Sequence, residues 1–200
     1  MTPTMIRALR ERAVASLTAA GVPDPEVDAE LLIGQVLGVG RGEVQAKIAM
    51  DAVVSPDAVA EVSTLVVRRA AREPLQHIIG RAPFRNIELS VGRGVFVPRP
   101  ETEQVAQFAI DALRSVAEPV PIAVDLGTGS GAIAIALATE VPHSSVFAVE
   151  ISPEAHEWAA RNIAATGAEN LELRLGDLAD AFQDLNGQVA VVISNPPYIP

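Results

Sequence analysis

The residues best suited to chemistry lie near the end of the chain, in the run Asn195-Pro196-Pro197-Tyr198. This run follows a segment that is predicted to be a β-strand, and open α/β sheets bind ligands at the carboxyl ends of their strands. The two prolines hold the backbone extended and remove two N–H donors, so the carbonyls remain as acceptors. The Asn195 side-chain oxygen and the Pro196 carbonyl can therefore accept both hydrogens of a planar NH2 group, on which Tyr198 can stack.

This set of acceptors predicts a reaction at the nitrogen of an amide or an aryl amine. Such a nitrogen is a poor nucleophile because its lone pair is delocalised. Two acceptors favour the pyramidal form of the transition state, so they stabilise it more than the ground state. No strong base is needed, because the proton can leave after the nitrogen has attacked an activated electrophile. Asn195, Pro196 and Tyr198 are the predicted catalytic residues, and together with Pro197 they are predicted to bind the substrate.

A second candidate site is the glycine-rich run 125–132, D-L-G-T-G-S-G-A, which follows one predicted strand and opens a helix. Glycines allow the backbone to turn sharply and to approach a ligand closely. Glu150 ends the next strand, where its carboxylate can accept hydrogen bonds from both ribose hydroxyls of a nucleoside. Gly127, Gly129 and Ala132 satisfy the G-x-G-x-x-G/A pattern of dinucleotide sites. The loop is thus compatible with a dehydrogenase, and also with the D-x-G-x-G-x-G loop of methyltransferases that use S-adenosylmethionine.

Two acidic residues favour the methyltransferase interpretation. Asp125, which precedes the glycines, can hold the methionine part of S-adenosylmethionine directly or through water. After the third strand of this region, Asp177 can accept a hydrogen bond from an adenine amino group, and Leu178 can flank the ring. We therefore expect S-adenosylmethionine as the cofactor. No metal is expected, because the three histidines lack metal-ligand spacing.

The elements that must position these residues form the pattern β-α-β-α-β-β from Ile122 onward. The strands are predicted at IAVDL, SVFAVE, LELRL and VAVVIS, and the helices near 130–140 and 153–165. IAVDL is almost continuously apolar, as is typical of a strand buried on both faces of a parallel sheet. Strands that alternate with helices of these lengths predict an α/β fold, with a doubly wound, mainly parallel, Rossmann-like sheet.

The chain is predicted to have three parts, with boundaries at 1–73, 74–97 and 98–200. The first part is a small bundle of four amphipathic helices, which we expect to recognise a protein substrate. These helices are predicted over 4–20, from Pro25 to the glycines at 38 and 40, over 42–50, and from Pro56 to a point before Pro74. The second part is a β-hairpin linker with a Gly-Arg-Gly turn. The third part is the α/β domain, which begins with a helix from Pro100 to about Val116.

Composition and charge exclude several other classes of protein. The 200 residues are 49% apolar and 20% charged, which suffices for a packed core. The absence of cysteine excludes disulfides, thiol catalysis and cysteine-ligated zinc. Neither a membrane helix of roughly 18 apolar residues nor a signal peptide is recognisable, so we expect a cytoplasmic protein that does not bind membranes. Residues 100–200 carry a net charge of −11, which argues against a nucleic-acid groove, although residues 68–99 carry +5.

At the level of motifs the chain resembles the release factor glutamine methyltransferases, the HemK family. The resemblance is carried by the runs P-L-Q-H-I-I-G (74–80), F-V-P-R-P-E-T-E (96–103), the loop 125–131 and N-P-P-Y (195–198). The P-R-P-E-T-E run is the most family-specific of these, whereas N-P-P-Y also occurs in adenine-N6 and other amino methyltransferases.

The resemblance implies a substrate, a cofactor and a set of contact residues. The substrate would be the glutamine of the Gly-Gly-Gln motif in class 1 peptide chain release factors, methylated at its side-chain nitrogen and held by Asn195–Tyr198. The helical bundle would contact the release factor. The residues implied or predicted to bind S-adenosylmethionine are Asp125, Gly127, Thr128, Gly129, Ser130, Gly131, Glu150, Asp177, Leu178 and Asn195. We expect a monomer that makes no direct contact with nucleic acid.

The resemblance leaves one departure and two alternatives. The family's sheet continues beyond N-P-P-Y, whereas this sequence ends two residues after Tyr198, so the domain is expected to be incomplete at its C-terminus and inactive or nearly so. The first alternative is an amino methyltransferase that acts on a nucleic-acid base. The second is a non-catalytic fragment whose helical bundle binds a partner.

Overall fold

The computed structural model describes residues 4–196, and the chain divides into two compact units, Met1–Ile79 and Gly80–Pro200. Two predicted site residues, Pro197 and Tyr198, lie outside the described residues. Within the described part, no helix is long and apolar enough to cross a membrane. Residues 4–196 also contain no group of His, Asp or Glu that could hold a metal ion.

The first unit is helical, with one short antiparallel ribbon. Its elements are β1 (Thr4–Met5), α1 (Ile6–Ala19), α2 (Pro25–Leu37), α3 (Arg41–Ala49), β2 (Val53–Val54), α4 (Pro56–Ala70) and α5 (Leu75–Ile79). Helix α1 begins two residues later than predicted because Thr4–Met5 pairs with Val53–Val54. The Ser55 hydroxyl accepts the Ala58 N–H and caps α4, and Pro56 follows at the first helical position.

Apolar side chains at helical spacing form the core of this unit. Ile6, Leu17, Leu32 and Val62 are all fully buried. The carboxylate of Glu30 is also buried, and it accepts bonds from Arg10 (2.9 Å), Arg41 (2.7 Å) and Gln45 (2.9 Å). The buried charge is tolerated because three side chains on the neighbouring helices α1 and α3 donate hydrogen bonds to it. Glu30 is therefore a structural residue.

The second unit begins with a hairpin whose turn differs from the prediction. Strands β3 (Arg81–Phe84) and β4 (Ile87–Ser90) pair antiparallel, with Phe84 opposite Ile87. The chain therefore turns at Arg85-Asn86, not at Gly92-Arg93-Gly94, and Arg85 takes a left-handed φ of 51°. The Arg85 side chain offsets this strained backbone by bonding Glu140 at 2.5 and 2.9 Å. The linker segment also begins with α5, which was not predicted.

A four-stranded parallel sheet forms the centre of the second unit, in the order β7-β6-β5-β8. Its strands and helices are α6 (Pro100–Arg114), β5 (Ile122–Leu126), α7 (Ala132–Glu140), β6 (Ser145–Glu150), α8 (Pro153–Thr166), β7 (Leu171–Leu175) and β8 (Val189–Ser194), with a 3-10 turn at Gln183–Leu185. The predicted strands and the α/β fold class are confirmed. Helix α7 is buried on every side from Ala132 to Ala138, which explains its lack of an amphipathic pattern.

Candidate active site

The predicted functional residues that the structure describes lie at the carboxyl ends of the four parallel strands. The loop 127–131 follows β5, Glu150 ends β6, Gly176–Leu178 follows β7, and Asn195–Pro196 follows β8. Because all four strands run in the same direction, these ends share one edge of the sheet. The topology therefore places the glycine loop and the described half of the N-P-P-Y motif at the ends of neighbouring strands.

The glycine loop has a backbone that glycine adopts most easily, and open space lies beside it. Gly127, Gly129 and Gly131 have φ of 74°, 58° and 83°. The N–H groups of Gly127 and Thr128 donate to the Val149 carbonyl at 2.9 and 3.0 Å, which anchors the loop to β6. A Cβ added at Gly127 or Gly129 would meet no atom within 4 Å. The loop thus has open space beside two half-buried glycines, as close approach of a ligand requires.

The far end of the loop packs against the protein. A Cβ added at Gly131 would lie 3.2 Å from Ile135 Cδ1, so this glycine also serves packing. The Asn162 side chain on α8 is 2% exposed, and its Nδ2 donates to the carbonyls of Ser130 (2.9 Å) and Ser90 (3.0 Å). Asn162 therefore joins the loop to the hairpin. Sequence reasoning missed it, because an Asn in the middle of an amphipathic helix gives no sign of its partner.

Glu150 is held against the loop. Its Oε2 accepts the Gly129 N–H at 2.8 Å, and its Oε1 accepts the Ser152 N–H at 2.9 Å. The residue is only 8% exposed. Two backbone donors therefore fix the carboxylate in one orientation beside the open glycines. Each carboxylate oxygen has a further lone pair with which it could accept a ligand hydroxyl.

Asp125 lies in the interior, 1% exposed. Its Oδ2 accepts the Thr128 hydroxyl at 2.6 Å, and the Ala134 backbone N–H also bonds its carboxylate. Burial raises its pKa from 3.8 to about 6, against the opposing effect of these two bonds, and the nearby Glu150 charge adds to the rise. In this structure Asp125 supports the loop through Thr128.

Asp177 and Leu178, by contrast, lie on an exposed turn after β7. Asp177 Oδ1 accepts the Ala179 N–H at 2.9 Å, as a turn residue does, and Leu178 is 51% exposed. The preceding Gly176 donates its N–H to the Glu150 carbonyl at 2.9 Å, so this turn is tied to the end of β6. Leu178 thus offers an exposed apolar surface at the end of the strand next to β6.

Asn195 is hydrogen-bonded to a residue that is 93 positions away in the sequence. Its Nδ2 donates to the Thr102 hydroxyl at 3.0 Å. The preceding Ser194 donates its hydroxyl to the Leu126 carbonyl at 2.8 Å, so the end of β8 is fastened to the end of β5. The N-P-P-Y motif and the P-R-P-E-T-E run thus meet through their side chains.

The role of Thr102 was not predicted, although the sequence carries a signal for it. The buried face of α6 is formed by Thr102, Ala106, Ala109, Ile110 and Leu113. These positions follow helical spacing, which places Thr102 on the apolar face of the helix. A polar residue on such a face needs a hydrogen-bond partner in the interior, and the partner is Asn195.

Two family profiles match the chain. Residues 8–80 match the PrmC N-terminal domain, and residues 87–199 match the methyltransferase small domain. The second match covers more than half of the chain, so the α/β unit is a methyltransferase domain by family as well as by fold.

Among curated proteins, the chain is 53% identical to a release factor glutamine methyltransferase of Streptomyces coelicolor, over 94% of the chain and 64% of that protein. It is 41% identical to a release factor glutamine methyltransferase of Bifidobacterium longum, over 98% and 70%. It is also 36% identical to a 4-amino-L-phenylalanine/4-methylamino-L-phenylalanine methyltransferase of Streptomyces pristinaespiralis, over 99% and 66%.

The chain spans about two thirds of the length of these relatives, from 64% to 70%. The two family profiles, which cover residues 8–80 and 87–199, span all four motifs that were identified in the sequence. On the strength of these matches, the chain belongs to the release factor glutamine methyltransferase family.

Proposed function

We propose that the protein transfers a methyl group from S-adenosylmethionine to the side-chain nitrogen, N5, of the glutamine in the Gly-Gly-Gln motif of class 1 peptide chain release factors. The observation that carries the proposal is the junction of Asn195 with Thr102 at the sheet edge that also holds the glycine loop. The names of the S. coelicolor and B. longum relatives support a glutamine of a release factor as the substrate. The proposal places the protein in the cytoplasm and requires only one copy of the chain.

The residues of the loop fit a nucleoside that bears an amino-acid chain. Open space beside Gly127 and Gly129 admits a ligand, and Glu150 is fixed where it could accept ribose hydroxyls. Asp125 supplies a negative charge for the ligand's ammonium group, transmitted through Thr128. When bound, S-adenosylmethionine supplies a methyl group that is activated by its positively charged sulfur.

The remaining contacts with S-adenosylmethionine would come from the turn after β7 and from the rest of the glycine loop. Leu178 would flank the adenine ring, and Asp177 would accept from the adenine amino group. Thr128 and Ser130 shape the loop that receives the ligand through their bonds with Asp125 and Asn162, and Gly131 shapes it by packing against Ile135. A leucine offers dispersion contact with the ring but no aromatic stacking, so ring binding here relies on shape.

The acceptor amide would be held by Asn195 and Pro196. The Asn195 side-chain oxygen and the Pro196 carbonyl would each accept one hydrogen of the glutamine NH2 group, and Tyr198 would stack on the amide, with Pro197 holding the turn. These acceptors favour a pyramidal nitrogen whose lone pair points at the methyl carbon. The new N–C bond forms as the S–C bond breaks, and the nitrogen then loses a proton to solvent.

Residues 1–73 would recognise the release factor. Apart from Asp28 and Glu30, the side chains buried in their helices are apolar or small, and both carboxylates are committed to ion pairs: Glu30 to Arg10 and Arg41, and Asp28 to Arg69 at 2.7 Å. No ligand motif occurs there, so recognition of a protein surface is the role that remains. A whole release factor should therefore be methylated with a lower KM than a short peptide containing Gly-Gly-Gln.

The test uses the protein with a complete catalytic domain, incubates it with methyl-labelled S-adenosylmethionine and a class 1 release factor, and ends with peptide mass mapping. Label should appear on the glutamine of Gly-Gly-Gln, and it should vanish when that glutamine is replaced. Asn195→Ala should lower the rate by about 10²-fold or more, as loss of one preorganised hydrogen bond does. Asn186→Ala, at an exposed asparagine, is the matched control and should change little.

Competing acceptors make the test specific. 4-Amino-phenylalanine tests the substrate that the S. pristinaespiralis relative's name gives, and adenine in DNA or RNA tests the nucleic-acid alternative. Faster methylation of either than of the release factor would overturn the proposed substrate. Absence of any methyl transfer, with S-adenosylmethionine bound, would instead favour a binding role for the chain.

A further inference from the structure

The hydrogen bond between Thr102 and Asn195 joins two motifs whose connection the sequence does not reveal. Thr102 is 9% exposed and stands in the first turn of α6, and its Oγ1 lies 3.0 Å from Asn195 Nδ2. Asn195 follows the last strand of the sheet, at the edge where the substrate amide is expected. The bond is therefore placed to control a side chain that, under the proposed function, touches the substrate.

The geometry matters because a primary amide has two ends of opposite character. A half-turn about the last side-chain torsion exchanges the carbonyl oxygen and the NH2 group of an asparagine. With the oxygen toward the substrate, Asn195 accepts a hydrogen from the glutamine NH2. With the nitrogen toward the substrate, two donors face each other and the acceptor is lost. In this structure the Thr102 hydroxyl accepts from Nδ2, which is the pairing that belongs to the first arrangement.

The helical turn that carries Thr102 is held in place by its own contacts. The Thr102 N–H donates to the Arg99 carbonyl at 3.0 Å, and Pro100 fixes the backbone at the start of the helix. The next residue, Glu103, accepts the Arg85 N–H at 3.0 Å, which ties the same helical turn to the hairpin. The hydroxyl therefore projects from a turn that is anchored on both sides.

We propose that Thr102 is a positioning residue, which sets the amide orientation of Asn195 so that the asparagine oxygen faces the methyl-accepting nitrogen. The proposal rests on the proposed function for its catalytic consequence, but not for the orientation itself. It assigns a purpose to the threonine of the P-R-P-E-T-E run. The two glutamates of that run belong to the start of the helix, where negative charge is favoured.

The kinetic test compares Thr102→Val, which keeps the shape and removes the hydroxyl, with Thr102→Ser, which keeps the hydroxyl. Thr102→Val should lower kcat about tenfold, as loss of one hydrogen bond does, with little change in the KM for S-adenosylmethionine. Thr102→Ser should restore most of the rate. Thr139→Val, which removes a hydroxyl that bonds only within α7, is the matched control and should not alter kcat.

A double variant separates positioning from general damage to the fold. If Thr102 acts through Asn195, Thr102→Val should add little to the loss already caused by Asn195→Ala. Independent, multiplicative losses in the two variants would overturn the proposal. So would a Thr102→Ser variant as slow as Thr102→Val with an unchanged melting temperature.

A spectroscopic arm decides the inference even if the proposed function fails. In a 15N-labelled protein, the side-chain NH2 resonances of Asn195 are identified by their loss in Asn195→Ala. Thr102→Val should shift these resonances and speed their exchange with water, Thr102→Ser should leave them close to wild type, and Thr139→Val should leave them unchanged. Unmoved Asn195 resonances in Thr102→Val would refute the orientation. If the wild-type protein transfers no methyl group and the Asn195 resonances still shift in Thr102→Val, only the proposed function is refuted.

Discussion

Asp125 gives the sharpest prediction about stability, because it is the buried carboxyl on which the loop rests. Its pKa is raised from 3.8 to about 6, mainly by burial, which disfavours the charged form. A carboxyl whose pKa is higher in the folded than in the unfolded protein destabilises the fold when it ionises. The destabilisation is absent below pH 3.8, grows as the pH rises, and is complete once the pH exceeds about 6.

The size of the effect follows from the shift. A difference of about two pH units corresponds to about 3 kcal/mol of unfolding free energy, and roughly half of it develops between about pH 5 and 7.5. Asp125→Asn removes the ionisation but keeps an oxygen that can accept the Thr128 hydroxyl. The variant should therefore gain about 1–1.5 kcal/mol relative to wild type as the pH rises over that interval.

The chain offers a local probe for this measurement. Trp158 is the single tryptophan and lies on α8, so its fluorescence during urea unfolding reports on the second unit. Asp177→Asn, at an exposed aspartate after β7, makes the same change in charge and is the control. The reasoning is refuted if the pH curves of wild type and Asp125→Asn stay parallel, or if Asp177→Asn reproduces the divergence.

Two further predictions concern the ligand site and the scaffold. Glu150→Ala should weaken binding of S-adenosylmethionine by about 1–3 kcal/mol in calorimetry, since hydrogen bonds to a charged group are lost; unchanged affinity would remove Glu150 from the site. Arg85→Ala should lower the unfolding free energy of the second unit by about 2–4 kcal/mol, because the largely buried Glu140 keeps only its longer ion pair with Arg114, at 3.9 Å. The Trp158 fluorescence can measure this loss. Arg81→Ala, which breaks an exposed pair at 3.8 Å, should cost under about 1 kcal/mol; equal losses in both variants would contradict the argument.

Apolar composition predicted the sheet well, because strands that are buried on both faces are rich in apolar residues. The strands Ile122–Leu126 and Ser145–Glu150 coincide with the apolar segments predicted for them. The start of α7 was less accurate, since the loop continues to Gly131, whose left-handed backbone delays the helix to Ala132. Local composition does not show where a loop conformation ends.

The turn of the hairpin could not be predicted from local preference. Glycines favour left-handed turns, so Gly92-Arg93-Gly94 was the natural choice over Arg85-Asn86. The fold instead places Arg85 in that conformation, where its guanidinium reaches Glu140, 55 positions away. A long-range ion pair overrode the local cost, and no short window of sequence contains both partners.

The candidate site shows the same division between local and long-range information. The glycine loop and Glu150 are recognisable because a strand, a turn and a helix follow one another in register. The loop alone left two cofactors open, and Asn195, at the end of a strand beside it, is the residue that favours methyl transfer. In our proposal, Asn195 becomes a directed acceptor through Thr102, whose type and position in the sequence suggest only a polar residue at the start of a helix. Chemistry in this protein is therefore specified by motif residues, while their orientation depends on partners that only the folded chain brings within 3.0 Å.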